Sequence, residues 1–573
     1  MAETQKNSET SKRTRSWWSK NWFYTVLIAI AFIDGLSAFG LPLIVPQPYS
    51  AGDSISTLRQ AILAATGGVL AILTLWESRR KNIQEKEKND QDHTPQVHAE
   101  RRARYAKALE QLADAKAPVR LGGVYTLIKL VDEWLADEKT LPNEEERREE
   151  GQVIINSLCA YIRSPFDLAS KTEELSEHKA PENYEGGNQQ FIKDQARFRE
   201  EKELRLTILE AVRNRLNKGT RVHKNGTQKL LPGQWSGFDY DFSNTVFFYP
   251  VGFNNSYFGA SSNFSGAEFT ENTNFSKAKF VEKADFSRAK FAKKADISRV
   301  KFTDADFCWA EFTEKADFCW AEFTEKANFC WAKFAENTNF YKAEFTKNAS
   351  FSGAKFAKKA DFTWTKFTDA DFTGAKFAED VNFSWAKFAE KADFCWAEFA
   401  EKADFTWIKF ADYAQFGWAK FTEDANFSAA KFTKDVEFSA AKFAKNASFS
   451  GAKFTKNASF SGAKFTKNAK FSWAKFTKGA DFSWAEFIRN TDFFEATFEE
   501  KPIFEYELYS EIFKAKFSHR ANPEDYNFEV SHNSPYKIET REQEHNGIKF
   551  VIPEDAELFD PDEPSEQGNN DGS

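Results

Sequence analysis

The sequence predicts a repeat solenoid that follows an α-helical module and a pair of membrane-spanning helices. Three observations predict it. Between Phe242 and Phe504 a Phe recurs at alternating steps of five and six residues, with Ile297 in place of one Phe. That ladder has 49 rungs and takes up 48 of the 62 Phe in the chain, so a repeat array must be read before anything else. Ahead of it, apolar residues recur at helical spacing, and nearer the N-terminus stand two mostly apolar runs.

The chain has 573 residues, too long for one ordinary core, so several domains are expected. A formal net charge of −8 is mild for this length and gives no global case for nucleic-acid binding. The five cysteines (Cys159, Cys308, Cys319, Cys330 and Cys395) show no CxxC spacing and no His-rich tract beside them. An odd count argues against a complete disulfide framework, so reduced thiols in a cytoplasmic compartment are expected.

Residues 1–21 are polar and basic. The first apolar run, Trp22 to Val45, is long enough for a bilayer, which needs about 20 residues. The second, Ile55 to Trp76, carries Arg59 and Gln60 near its start, so Arg59 must snorkel. Together they read as two transmembrane helices over 22–78. Basic residues at both outer ends place both termini in the cytoplasm. A signal peptide is the competing reading, with Thr25–Ile33 as its apolar stretch. Asp34 is an intramembrane carboxylate in the first reading and a functional-site candidate by that position.

Residues 79–97 are charged and read as a linker. From His98 to about residue 218 the pattern is helical: Val124, Leu127, Ile128, Val131, Trp134 and Leu135 share one face. A third helix is expected over Val153–Arg163 and a fourth over Phe191–Leu216. Glu110-Gln111-Leu112 and Val119-Arg120-Leu121-Gly122-Gly123 resemble the membrane-proximal segment of bacterial membrane proteins that carry pentapeptide repeats. The same stretch resembles a HEAT-type helical pair, in which Arg120, Gly122 and Gly123 serve packing.

Aligned on its Phe, each rung reads A-x-F-x-x. This resembles the pentapeptide-repeat family, and the resemblance covers roughly residues 236–504. It implies a right-handed quadrilateral β-helix with one rung per face and four faces per coil. Two departures stand out. The central residue is Phe rather than Leu, and a pair of faces takes 11 residues rather than ten, so every second corner should bulge. At four rungs per coil, 49 rungs give about 12 coils stacked about 4.8 Å apart. The regular step slips at Phe302–Phe307 and Phe367–Phe372, where a five replaces a six. Residues 505–552 should cap the open end, and the acidic 553–573 should be a disordered tail.

The residue before each Phe alternates between Lys or Glu and Asp, Asn or Ser, so two opposite faces should be mainly Lys/Glu and the other two mainly Asp, Asn or Ser. Ten Trp fall two residues after a Phe: Trp309, Trp320, Trp331, Trp364, Trp385, Trp396, Trp407, Trp418, Trp473 and Trp484. They should form broken columns on two opposite corners, either covering the bulged corners or offering an aromatic binding surface. Cys308 and Cys330 should be stacked neighbours. Residues 441–480 carry nine Lys before any acid, with Lys453, Lys456, Lys464 and Lys467 as a candidate patch for an anionic partner.

No phosphate loop, metal spacing or nucleophile–base pair is present, so neither an enzyme nor a cofactor is expected. The leading expectation is a membrane-tethered scaffold at the bacterial cytoplasmic membrane, with an unidentified protein partner. Some members of the resembled family mimic DNA on type II topoisomerases through an acidic rod. Residues 261–504 hold 37 Lys/Arg against 35 Asp/Glu, which is near neutral and makes DNA mimicry and nucleic-acid binding secondary readings. Docking of the Lys-rich end on anionic membrane is the third.

Overall fold

The computed structural model describes residues 25–30, 32–33, 36–37, 40, 55–222 and 228–563. It divides into two compact units, Met1–Ala103 and Arg104–Ser573. Among the described residues no helix is long and apolar enough to cross a membrane. The expected span ending at Trp76 and the charged linker over 79–97 are instead parts of one helix, Ile55–Leu112, with Pro95 inside it. The linker is rich in Glu, Lys and Gln, which are good helix formers, so its charge did not mark a break. Asp34 lies outside the described residues.

Three long helices follow: Ala117–Leu135, Glu144–Arg163 and Gly187–Leu216. The second starts nine residues before the expected Val153. Asn143 caps it by accepting the Glu145 N–H at 3.0 Å, and Glu144, Glu145 and Glu146 favour the positive end of the helix dipole. Gly123 lies hard against the Ala108 carbonyl, where an added Cβ would come within 2.8 Å, whereas Gly122 faces open space. Of the two glycines expected to serve packing, only Gly123 has a neighbour that demands it.

The Phe ladder closes into a β-solenoid of about 12 turns. We number its faces 1 to 4 in chain order, starting from Phe242. Parallel pairing is one rung per coil on every face, as in Ala392↔Ala414 on face 1, Glu398↔Lys420 on face 2, Ala403↔Ala425 on face 3 and Lys387↔Lys409 on face 4. Period-2 alternation buries the Phe and the residue two before it while the one between faces out. Along the axis the rings stack: Phe394 lies 4.8 Å from both Phe372 and Phe416, at interplanar angles of 1° and 0°. Across the coil they meet edge to face, as Phe383 and Phe394 do at 5.5 Å and 87°.

The two slips have a structural meaning. At each, the corner from face 4 to face 1 loses its bend and the chain runs on as one strand, Lys301–Asp306 and Lys366–Asp371. The preceding coil absorbs the missing residue as a register shift, between Phe280 and Lys283 and between Phe345 and Asn348.

The helices close the solenoid's first coil. Phe248 packs on Phe166 and Phe198 at ring distances of 5.1 and 5.2 Å. Arg205 is 2% exposed, pairs with Glu201 at 2.7 Å and donates to the Ile162 and Ser164 carbonyls at 2.8 and 2.9 Å. At the other end, strand Glu511–Ser518 extends face 2 and Tyr526–Asn527 extends face 3. The strand Ala556–Phe559 pairs with Ala515–Ser518, so the cap runs past residue 552 into the stretch expected as a tail. Residues 564–573 lie outside the described part.

Candidate interaction surface

The outward record of the ladder depends on its corners. From face 1 to face 2, and from face 3 to face 4, the step is five residues and the turn is tight. The Ala310 N–H donates to the Phe307 carbonyl at 3.0 Å, and Trp309, third in the turn, has φ +61°. That is a type II turn, whose third position favours Gly. The preceding Asp306 carboxylate accepts the Cys308 N–H at 2.9 Å, which holds the turn. Asp317 and Asp393 do the same for Cys319 and Cys395. The Asp and Asn on faces 1 and 3 are therefore turn-formers.

All ten Trp sit at the third position of these tight turns, every one with φ between 56° and 61°. They occupy two opposite corners, as expected, but they do not cover the bulged ones. Trp364 and Trp385 stack at 5.0 Å, Trp385 and Trp407 at 5.2 Å, Trp396 and Trp418 at 5.1 Å, and Trp309 and Trp331 at 5.4 Å. Trp320 lies under Lys342 at 4.4 Å, Trp473 meets Phe494 edge-on, and Trp484 tilts against Phe513. Each stays 41–64% exposed.

A left-handed backbone costs an L-residue about 1–2 kcal/mol. Gly occupies the same turn position at Gly353, Gly374, Gly451 and Gly462. Ala440, at φ +56° and with no ring to stack, isolates that cost. Ala440→Gly is expected to raise unfolding stability by about 0.5–1 kcal/mol, read from urea midpoints at constant slope.

The Lys-rich segment 441–480 does not form one patch. Strand pairing puts Lys453 on face 4 and Lys464 on face 2, on opposite sides of the coil. Lys456 follows Lys453 at the corner leaving face 4, and Lys467 follows Lys464 at the corner leaving face 2. Lys464 is also neutralised by Glu486 at 2.8 Å.

What the fold does assemble is a lysine ladder on face 4. Lys366, Lys387, Lys409, Lys431, Lys453 and Lys475 pair directly in adjacent strands, and all are exposed. Glu344 pairs with Lys366 at one end, and Glu499 pairs with Lys475 at 2.6 Å at the other. The four between them form no salt bridge among the described residues. Like charges directly opposite one another are destabilising. On face 2 acids interrupt the lysines, as where Glu398 pairs with both Lys376 and Lys420 at 3.0 and 3.7 Å. The stacked Trp364, Trp385 and Trp407 stand at the corner entering face 4, each two residues before a ladder lysine.

Cys308 and Cys330 are stacked neighbours and are joined by a disulfide, contrary to the expected reduced thiols. One coil brings their Cα atoms to 4.7 Å, within disulfide range. The other three are free. Burial pushes the Cys159 thiol up to about 12 and, with the neighbouring carboxylates of Asp317 and Asp393, Cys319 up to about 11 and Cys395 up to about 12. None is a thiolate at neutral pH, so iodoacetamide at pH 8 should modify Cys319 and Cys395 at least about tenfold more slowly than free cysteine.

Residues 340–384 and 416–464 match the family described as pentapeptide repeats (9 copies). These segments are pentapeptide repeats. Parallel rung pairing carries the same architecture beyond them, to both ends of the solenoid. No curated protein and no solved structure matches the chain.

Proposed function

We infer that this protein is a non-enzymatic scaffold whose pentapeptide-repeat solenoid binds an acidic macromolecular partner, a protein, along face 4. The observation that carries the reading is the unneutralised run Lys387–Lys409–Lys431–Lys453, whose first two lysines stand beside the stacked, exposed Trp385 and Trp407. The lysines repel one another, and the Trp rings stack yet stay 41–64% exposed. Like-charge repulsion beside exposed aromatic rings points to a use outside folding. Aromatic anchors are enriched at interfaces, and a potential of one sign along a face selects and steers a partner of the other sign.

The same reading includes a tether at the bacterial cytoplasmic membrane with both termini inside. The apolar run Trp22–Val45 supports it, as do exposed apolar side chains such as Ile28, Phe32, Ile72 and Leu75. DNA mimicry on a type II topoisomerase needs an acidic surface, and face 4 has the opposite sign. In-cell photocrosslinking from residue 385 tests the proposal. The expected result is a discrete protein adduct that fractionates with membranes; adducts no different from those of a probe at residue 448, on face 3, would contradict it.

A further inference from the structure

At the start of the solenoid a second basic feature is gathered around a half-open cleft rather than spread along a face. The antiparallel hairpin Asn217–Val222 and Gln228–Pro232 stands over the first coils, and beneath it is a cavity of about 740 Å³. That volume falls within the range of sites for small molecules. Lys229 reaches it from the hairpin, Lys277 and Arg299 from successive tight turns, and Lys279 and Lys301 from face 4. Its one acid, Glu322, is taken by Lys301 at 2.6 Å. Lys279 lies over the Tyr257 ring at 5.0 Å. Lys229, Lys277 and Arg299 form no salt bridge among the described residues. Leu230, Ala278 and Trp320 supply apolar wall.

Four cations in excess of any acid, brought together from two separate parts of the chain, require a compact multivalent anion. A single carboxylate would leave most of that charge unmatched. A volume of about 740 Å³ fits a small ligand. We propose that this cavity is a binding site for a small ligand bearing two or more linked phosphates. Arg299 offers a planar fork for phosphate oxygens, and Lys229, Lys277 and Lys279 surround it as point charges. The phosphates have two sources, free polyphosphate or a nucleoside polyphosphate. The apolar wall at Trp320 gives the second a place for its base.

The test is calorimetric titration of the full-length protein with tripolyphosphate and, separately, with ADP. Asn255 occupies the same turn position one coil before Lys277, at φ +57°, so Lys277→Asn and Arg299→Asn preserve the turn. Saturable binding is expected, weakened about tenfold or more by either substitution and by Lys229→Ala on the hairpin. The variant Lys409→Ala/Lys431→Ala, on the exposed ladder, is expected to leave it unchanged, which separates this site from the face-4 proposal. A preference for ADP that Trp320→Gly removes identifies a nucleotide; equal or tighter binding of tripolyphosphate identifies free polyphosphate. No saturable binding of either probe, or binding that Lys277→Asn, Arg299→Asn and Lys229→Ala all leave intact, would overturn the proposal.

Discussion

Phe394→Ala is expected to lower the unfolding free energy by about 3–5 kcal/mol, the range for deleting a fully buried Phe. Phe394 is 0% exposed and stacks on rings above and below. Edge-to-face contacts to Phe383 and Phe405, at 5.5 and 5.7 Å, fix its position across the coil. Neighbouring coils cannot collapse into the vacancy, because each is held by strand pairing on all four faces. Equilibrium urea unfolding reads the loss. Phe394→Leu, the residue commoner at the centre of such repeats, should recover much of it. A Phe394→Ala loss below about 1 kcal/mol would mean that the ring column is not the core.

Arg205→Ala is expected to cost about 3 kcal/mol, but at one end of the solenoid rather than its middle. The substitution leaves the Glu201 carboxylate buried, with Arg120 at 3.5 Å and the Tyr161 hydroxyl at 3.0 Å as its remaining partners. It also strips the Ile162 and Ser164 carbonyls of their donor and removes the guanidinium that lies 5.4 Å over Phe248. A solenoid's stability is close to a sum of nearest-neighbour terms, so losing the end should fray the first coils before the rest. Hydrogen exchange should therefore accelerate around Phe247–Phe269 while the coils around Phe394 keep their protection. Uniform acceleration would show that helices and solenoid unfold as one unit.

Two carboxylates add a pH dependence. Burial opposes ionisation of Asp285, but hydrogen bonds from Lys283 and Ser287 outweigh it, so its folded pKa lies below the ordinary value. The same balance, with Cys395 and Lys391 as donors, lowers Asp393. Their contribution is complete above the unfolded carboxylate pKa and is lost as pH falls through the lowered, folded one.

The ladder's four faces were legible because one residue type repeats at one position: Phe in, Ala beside it, charge out. The slips were legible as spacing but not as fused strands, since that depends on how the neighbouring coil gives way. The lysine ladder was missed for a simple reason. Lys387 and Lys409 stand 22 residues apart in sequence, so no local window joins them, whereas the crowded lysines of 441–480 drew attention and turned out to lie on opposite faces. Reading the residue before every fourth Phe would have found it. The turn position of Trp was visible, but its left-handed backbone was not, because Trp carries no signal for positive φ. The cavity was beyond reach, since it needs the strands Asn217–Val222 and Gln228–Pro232 folded over residues some 25–100 positions further on.

The most direct test of face 4 as the binding face compares two variants of equal charge change. One carries Lys387→Glu, Lys409→Glu, Lys431→Glu and Lys453→Glu; the other carries Lys355→Glu, Lys376→Glu, Lys420→Glu and Lys442→Glu on face 2. Each is expressed in cells with the crosslinking probe at residue 385. The face-4 variant is expected to lose the partner adduct, and the face-2 variant to keep it. Equal retention or equal loss in both would contradict the account.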